Sequence, residues 1–287
     1  MESIWSIIKN NIDECPPEAD QPWAETTTKN NMVGGKIKEA RSIMEKRKIL
    51  PGLTTTFQNG DKDQWRKKIA EIDKLEIKEI ALFPTVLKRK ERKELYVLLE
   101  KTGIERVPHV HLRDDDMEKE ELDYLVERYK VQVFNLHPTK KAFAFFEKYP
   151  KYRGMTFIEN LYQVVKNERF SENDFQEHKA AGICLDMAHL RSEQLLFPEK
   201  YEKRIKLLEK YRIGCNHISG IKKETRMWEG HPIYDTHIVS GLFELDYLKL
   251  FPKKYFSDII SIELENTLEE QLEFRKYIED IINKKTG

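Results

Sequence analysis

Eight short apolar runs, each followed by a stretch with helical spacing, constrain this chain more than any other feature. The runs cover residues 53–57, 79–84, 106–113, 131–137, 155–160, 182–186, 214–218 and 258–265. Helical periodicity occupies 63–75, 92–101, 117–129, 142–149, 162–167 with 172–179, 198–211, a short stretch at 246–250, and 268–285. A long loop is expected between the seventh run and residue 237. Strands alternating with helices at intervals of roughly 25–30 residues bury their faces best as a closed parallel sheet in a ring of helices. The expected fold is therefore α/β, a single (β/α)8 TIM barrel, and 287 residues suffice for one. Residues 46–287 are assigned to the barrel. Residues 1–45 are assigned to an N-terminal helical extension, with helices at 2–13 and 36–48, acting as a lid or an oligomer contact.

Composition removes several classes. The 50 basic and 50 acidic residues cancel, so no overall charge draws the chain to nucleic acid or to an anionic membrane. No apolar run approaches the ~20 residues needed to span a bilayer. The start Met1-Glu2-Ser3-Ile4-Trp5 lacks the basic and apolar regions of a secretion signal. Cys15, Cys184 and Cys215 are odd in number and far apart, which implies no disulfide framework and makes a cytoplasmic location the default. Cys184 and Cys215 fall in strand runs and read as small core residues.

Active sites of such barrels lie at the C-terminal ends of the strands, and here those ends are polar. Gly182-Ile183-Cys184-Leu185-Asp186 carries a carboxylate out of an apolar strand, with His189 three residues on. A buried carboxylate is costly without a cation or donors, although capping the next turn is a competing role for Asp186. The third strand offers His109 and His111, which share a face because strand side chains alternate; one of them can be the ligand and the other its support. The fourth strand ends at Asn135 and His137, the fifth at Glu159-Asn160, the seventh at Asn216-His217 and the eighth at Glu263-Leu264-Glu265. The preceding loop adds Asp235 and His237. Taken singly, a strand histidine is more often a satisfied core group than a ligand. Glu265 reads as a rim acid paired with a lysine, and His178 and His231 as surface residues. Yet at least five successive strands end in His, Glu or Asp, and a bound cation is the economical explanation. Imidazole with carboxylate suits Zn²⁺, Mn²⁺, Fe²⁺ or Co²⁺ better than Ca²⁺. Basic residues near the mouth, chiefly Arg113, Lys222 and Arg226, are candidates for binding a substrate phosphate or carboxylate.

The endings Ile158-Glu159-Asn160, Leu185-Asp186-Met187-Ala188-His189, Asn216-His217 and Ser261-Ile262-Glu263-Leu264, in barrel order, resemble the xylose isomerase-like TIM-barrel superfamily over about residues 50–287. Its sugar isomerases and epimerases imply one metal on Glu159, Asp186, His217 and Glu263. The two glutamates would then serve as acid and base, with His189 touching a small sugar or sugar phosphate. Its endonuclease IV type, an AP endonuclease acting on nucleic acid, implies three zincs that use His109 or His111, His137, His189, Asp235 and His237 as well. The chain departs from that type in the first strand, Gly52-Leu53-Thr54-Thr55-Thr56-Phe57, which lacks the expected histidine and glycine-rich loop. It also departs at Pro138-Thr139-Lys140-Lys141 after His137. The sequence therefore favours the one-metal isomerase or epimerase. The zinc phosphodiesterase is the alternative, and a barrel that binds metal or ligand without turnover the third reading.

Overall fold

In the computed structural model, which describes residues 47–113, 115–161, 170–228 and 230–285, Pro51 divides the first strand into β1 (Lys48–Leu50) and β2 (Gly52–Thr54). The remaining barrel strands are β3 (Glu79–Phe83), β4 (Arg106–His111), β5 (Val133–Leu136), β6 (Thr156–Glu159), β7 (Ile183–Asp186), β8 (Ile213–Ile218) and β11 (Ile259–Ile262). Every neighbouring pair is parallel: β2 pairs with β3, the series continues in order to β8, β8 pairs with β11, and β11 pairs with β1. Because β1 and β2 are one segment interrupted at Pro51, this order brings the sheet round on itself as an eight-stranded barrel. Proline has no N–H to give the ladder, and Pro51 contributes only its carbonyl, which accepts from Ala81 N at 2.9 Å.

The closure demands a glycine. A Cβ on Gly52 would stand 2.0 Å from the backbone oxygen of Ile262 and 2.9 Å from the Phe83 ring. Buried side chains then staple the seam. Gly52 N donates to Gln271 Oε1 at 2.7 Å, and Gln271 Nε2 donates back to Gly52 O and Leu264 O, each at 3.0 Å. Lys68 Nζ donates to Leu264 O at 2.6 Å.

The helices are α1 (Gln64–Lys74), α2 (Arg89–Leu99), α3 (Lys119–Tyr129), α4 (Lys140–Lys148), α5 (Glu172–His178), α6 (Met187–Leu196), α7 (Pro198–Lys210) and α8 (Leu268–Asn283). Side-chain caps define several starts: the Thr139 hydroxyl opens α4, and capping boxes at Ser171 and Thr267 open α5 and α8. Among the described residues, no helix is long and apolar enough to cross a membrane.

Three local expectations change. Residues 219–237 are not a loop but mostly an antiparallel hairpin, β9 (Gly220–Trp228) with β10 (His231–Thr236), turning at Gly230 with φ +82°. The α6 helix starts directly after Asp186, where no helix was expected. The stretch around 246–250 is 3₁₀ helix from Leu242 to Leu250. The expected extension over 1–45, its helices at 2–13 and 36–48 up to residue 46, the helix at 162–167 and Cys15 lie outside the described residues; Lys48, the last residue of the second expected helix, is in β1.

The two-residue period of the strands builds the barrel interior in layers. Leu50, Ala81, Phe83, Val133, Phe157, Cys184, Cys215 and Ile259 pack into one apolar cluster. Two positions further along β5, β6, β7 and β8, the same faces carry Asn135, Glu159, Asp186 and His217, all buried. Cys184 and Cys215 are unpaired thiols of the apolar layer, as the strand pattern suggested.

Candidate metal centre

Asp186 is the pivot. Its backbone N–H donates to Asn160 Oδ1 at 2.7 Å, while Asn160 Nδ2 donates to Asp186 O at 3.1 Å. Asp186 Oδ1 accepts from His189 N at 2.7 Å and so caps α6. Oδ2 is buried with no hydrogen-bond partner among the described residues. The two roles that compete in the sequence are thus divided between the two oxygens of one carboxylate.

Around Oδ2, ligand atoms of Glu159, Asp186, His217 and Glu263 lie within 4.8 Å of one another. His217 Nδ1 is 3.0 Å from Glu263 Oε2, 3.4 Å from Glu159 Oε2 and 4.0 Å from Asp186 Oδ2. Neither nitrogen of this buried ring forms a properly directed hydrogen bond. Orphaned polar atoms in a protein interior are expensive. Here they converge on one point and are nitrogen and carboxylate donors, so they fit a divalent cation.

A second set shares Glu159. His111 Nδ1 lies 2.9 Å from Leu112 O and must donate to it, which turns the Nε2 lone pair inward. That nitrogen is 3.1 Å from Glu159 Oε2 and 3.1 Å from His137 Nε2. Together His111, His137 and Glu159 form a second group of converging donors. A third set gathers across the cavity. His189 Nδ1 lies 2.9 Å from Asn160 O, and its Nε2 is 3.8 Å from Asp235 Oδ2. Asp235 Oδ1 is buried without a hydrogen-bond partner among the described residues. His237 lines the same cavity, together with Glu159, His189, Asp235, Glu263, Arg226 and Trp228. Its volume is about 590 Å³.

His109 is the supporting histidine of the third strand. Asn135 Nδ2 donates to Glu159 Oε2 at 2.7 Å, so Asn135 Oδ1 accepts from His109 Nε2 at 2.9 Å, and His109 Nδ1 faces Ser261 Oγ at 2.7 Å. Both ring nitrogens are engaged. Although His109, Cys184 and His217 also lie within ligand distance of one another, Cys184 belongs to the apolar layer and His109 has no donor to spare.

The charges polarise one another. Burial pushes Glu159 up, but its surroundings, the charge of His217 foremost, outweigh it and hold the carboxyl well below its usual range. Burial pulls His217 down, and Glu159 and Glu263 overcome it and hold it well above the usual range. Asp186 is pushed up to about 6 by burial, against the pull of His189. His189 is raised to about 9 because Asp186, Asp235 and Glu159 prevail over burial. Perturbation of this kind clusters at functional sites.

Of the three cations expected to meet substrate, only Arg226 lines the cavity. Its Nε donates to Asp235 O at 3.0 Å, and its two terminal nitrogens have no ion-pair partner among the described residues. Arg113 is instead held by Asp115 and Asp116, with Nη1 on Thr85 O. Lys222 points to Glu244, at 2.8 Å, on the outer side of the hairpin. Arg113 is neutralised by carboxylates two and three residues further along the chain, and Lys222 by one 22 residues away. Glu265 has no lysine within ion-pair distance among the described residues: it is buried and accepts from Thr56, Gln58 and Asn59. His178 is not on open surface but stacks on Phe143, with centroids 4.3 Å apart. The residues that sequence reading missed are Thr56, Gln58 and Trp228, all uncharged or aromatic and without a local motif. Compared with protein-family models and with curated proteins, the sequence matches none.

Proposed function

We propose that the barrel mouth is a multinuclear divalent-metal centre that hydrolyses a phosphate ester. The carrying observation is the position of Glu159. Its Oε2 stands 3.1 Å from His111 Nε2 and 3.4 Å from His217 Nδ1, and its carboxylate belongs to both ligand sets. A shared carboxylate is the arrangement expected for cations held about 3.5–4 Å apart. A one-metal site has no use for His111, His137, Asp235 and His237. Bound cations would supply Lewis-acid stabilisation of the phosphoryl oxygens and an activated water. The protein's own part is to orient and to exclude. His109, through Asn135, fixes the shared Glu159 carboxylate, Arg226 would meet an anionic oxygen of the substrate, and buried Leu161 and Ile233 form part of the cavity wall.

The test is metal content per chain in wild type and in His111→Ala with His137→Ala, alongside hydrolysis of a phosphodiester, a phosphomonoester and an abasic oligonucleotide. Two to three ions in wild type, fewer in the double variant, and at least 10²-fold lower hydrolysis are expected. One ion in both proteins with equal activity would overturn the reading. A second reading, the one-metal isomerase or epimerase of a sugar or sugar phosphate, is favoured by Glu159 and Glu263 facing one cavity of monosaccharide scale. It requires that Glu159→Gln and Glu263→Gln abolish interconversion in a sugar and sugar-phosphate panel while His137→Ala does not.

A further inference from the structure

The first strand lacks a ligating histidine, yet its end reaches the centre by another route. Glu265 is 1% exposed, and each described contact of its carboxylate is with a donor. Oε1 takes the Gln58 N–H and the Thr56 hydroxyl, the latter at 2.6 Å, and Oε2 takes Asn59 N–H at 3.0 Å. An ionised carboxylate can only accept, so Thr56 is the donor in its bond to Glu265. A hydroxyl has one hydrogen. At its other contact, 2.8 Å to His237 Nδ1, Thr56 can therefore only accept. It follows that His237 carries a proton on Nδ1, so that the neutral ring, the form that binds a cation, presents its lone pair on Nε2. The ring's backbone is clamped by the same elements: His237 N donates to Gln58 Oε1 at 3.0 Å, and Glu265 N donates to His237 O at 2.6 Å.

We propose that Glu265 and Thr56 are positioning residues: through the relay Glu265–Thr56–His237 they fix the tautomer of His237 and aim its Nε2 at a cation of the centre. The part concerning the cation rests on the multinuclear reading above; the tautomer does not. An outer carboxylate that orients a ligating imidazole through its second nitrogen generally carries about 10–100-fold in metal affinity, and here an intervening hydroxyl transmits the effect.

The experiment uses the full chain in two measurements. Ring-nitrogen NMR of metal-free protein should show His237 protonated on Nδ1 in wild type and in Thr56→Ser. Thr56→Val, which keeps the shape and removes the hydroxyl, should shift the proton towards Nε2, as should Glu265→Gln. Titration with Co²⁺, followed by its visible spectrum, should show one ion weakened about 10–100-fold in Thr56→Val and restored in Thr56→Ser. Wild-type His237 protonated on Nε2, or a Thr56→Val variant unchanged in both measurements, overturns the relay. A His237→Ala variant that binds Co²⁺ like wild type, when wild-type His237 does carry the Nδ1 proton, refutes the cation's place on His237, and with it that part of the proposal, but not the hydrogen-bond assignment.

Discussion

Replacing Lys68 by methionine should remove a pH dependence of stability at the barrel seam. Lys68, on α1, is 1% exposed and forms no ion pair among the described residues; its ammonium group meets Leu264 O at 2.6 Å and, more distantly, Gly52 O. Burial pulls it from 10.5 down to about 7, against the attraction of Glu265, Glu71 and Glu270. Between those two values the unfolded chain holds a proton that the folded chain has released. Stability from this group therefore rises with pH across the window from about 7 to 10.5 and is withheld below it. At about 1.4 kcal/mol per pH unit, the full swing is about 5 kcal/mol at most. The methionine variant leaves both carbonyls still served by Gln271 Nε2, at 3.0 Å each. It should be more stable than wild type at pH 6, and the advantage should shrink or reverse by pH 9.5. Urea unfolding of both proteins in chelator at several pH values measures the difference, in which the other titrating groups cancel. An equal difference at pH 6 and 9.5 would refute the reasoning.

Other expectations follow from the same geometry. Gly52→Ala forces a Cβ against Ile262 O, so it should cost at least about 1–3 kcal/mol by thermal or urea unfolding. Cation binding must displace the proton that Glu159 and Glu263 hold on His217. Affinity should consequently rise with pH between 5 and 8 by roughly tenfold per unit for each proton displaced, and calorimetry in buffers of different ionisation enthalpy would detect the release. Flat affinity across that range would contradict a ligand role for His217. Arg226→Ala should raise KM for a phosphate-bearing substrate about 10-fold or more with a smaller change in kcat, the pattern of a binding contact.

The sequence alone determined the barrel, since strand and helix periods alternate locally and only one closed arrangement buries all eight strands. Strand ends also placed Glu159, Asp186, His217 and Glu263 at the barrel mouth; their grouping as one ligand set was what the family resemblance implied, and the closed barrel brings their ligand atoms within 4.8 Å of one another. What the sequence could not decide depends on chain segments far apart. Whether His109 or His111 faces the centre turned on Asn135 and Ser261, which belong to other strands. Lys222 looked available for substrate until folding brought Glu244, 22 residues on, against it, whereas the acids that hold Arg113 are its near neighbours in sequence. The hairpin β9–β10 was hidden because its residues alternate weakly between polar and apolar, and only the register against its partner strand gives Arg226 its place at the cavity. Glu265, read as a rim acid, is buried because the end of the first strand returns 206 to 209 positions in sequence to donate to it. Periodicity is a property of neighbours in the chain; partnership between charges and donors is a property of neighbours in space, and only the closed barrel defines those.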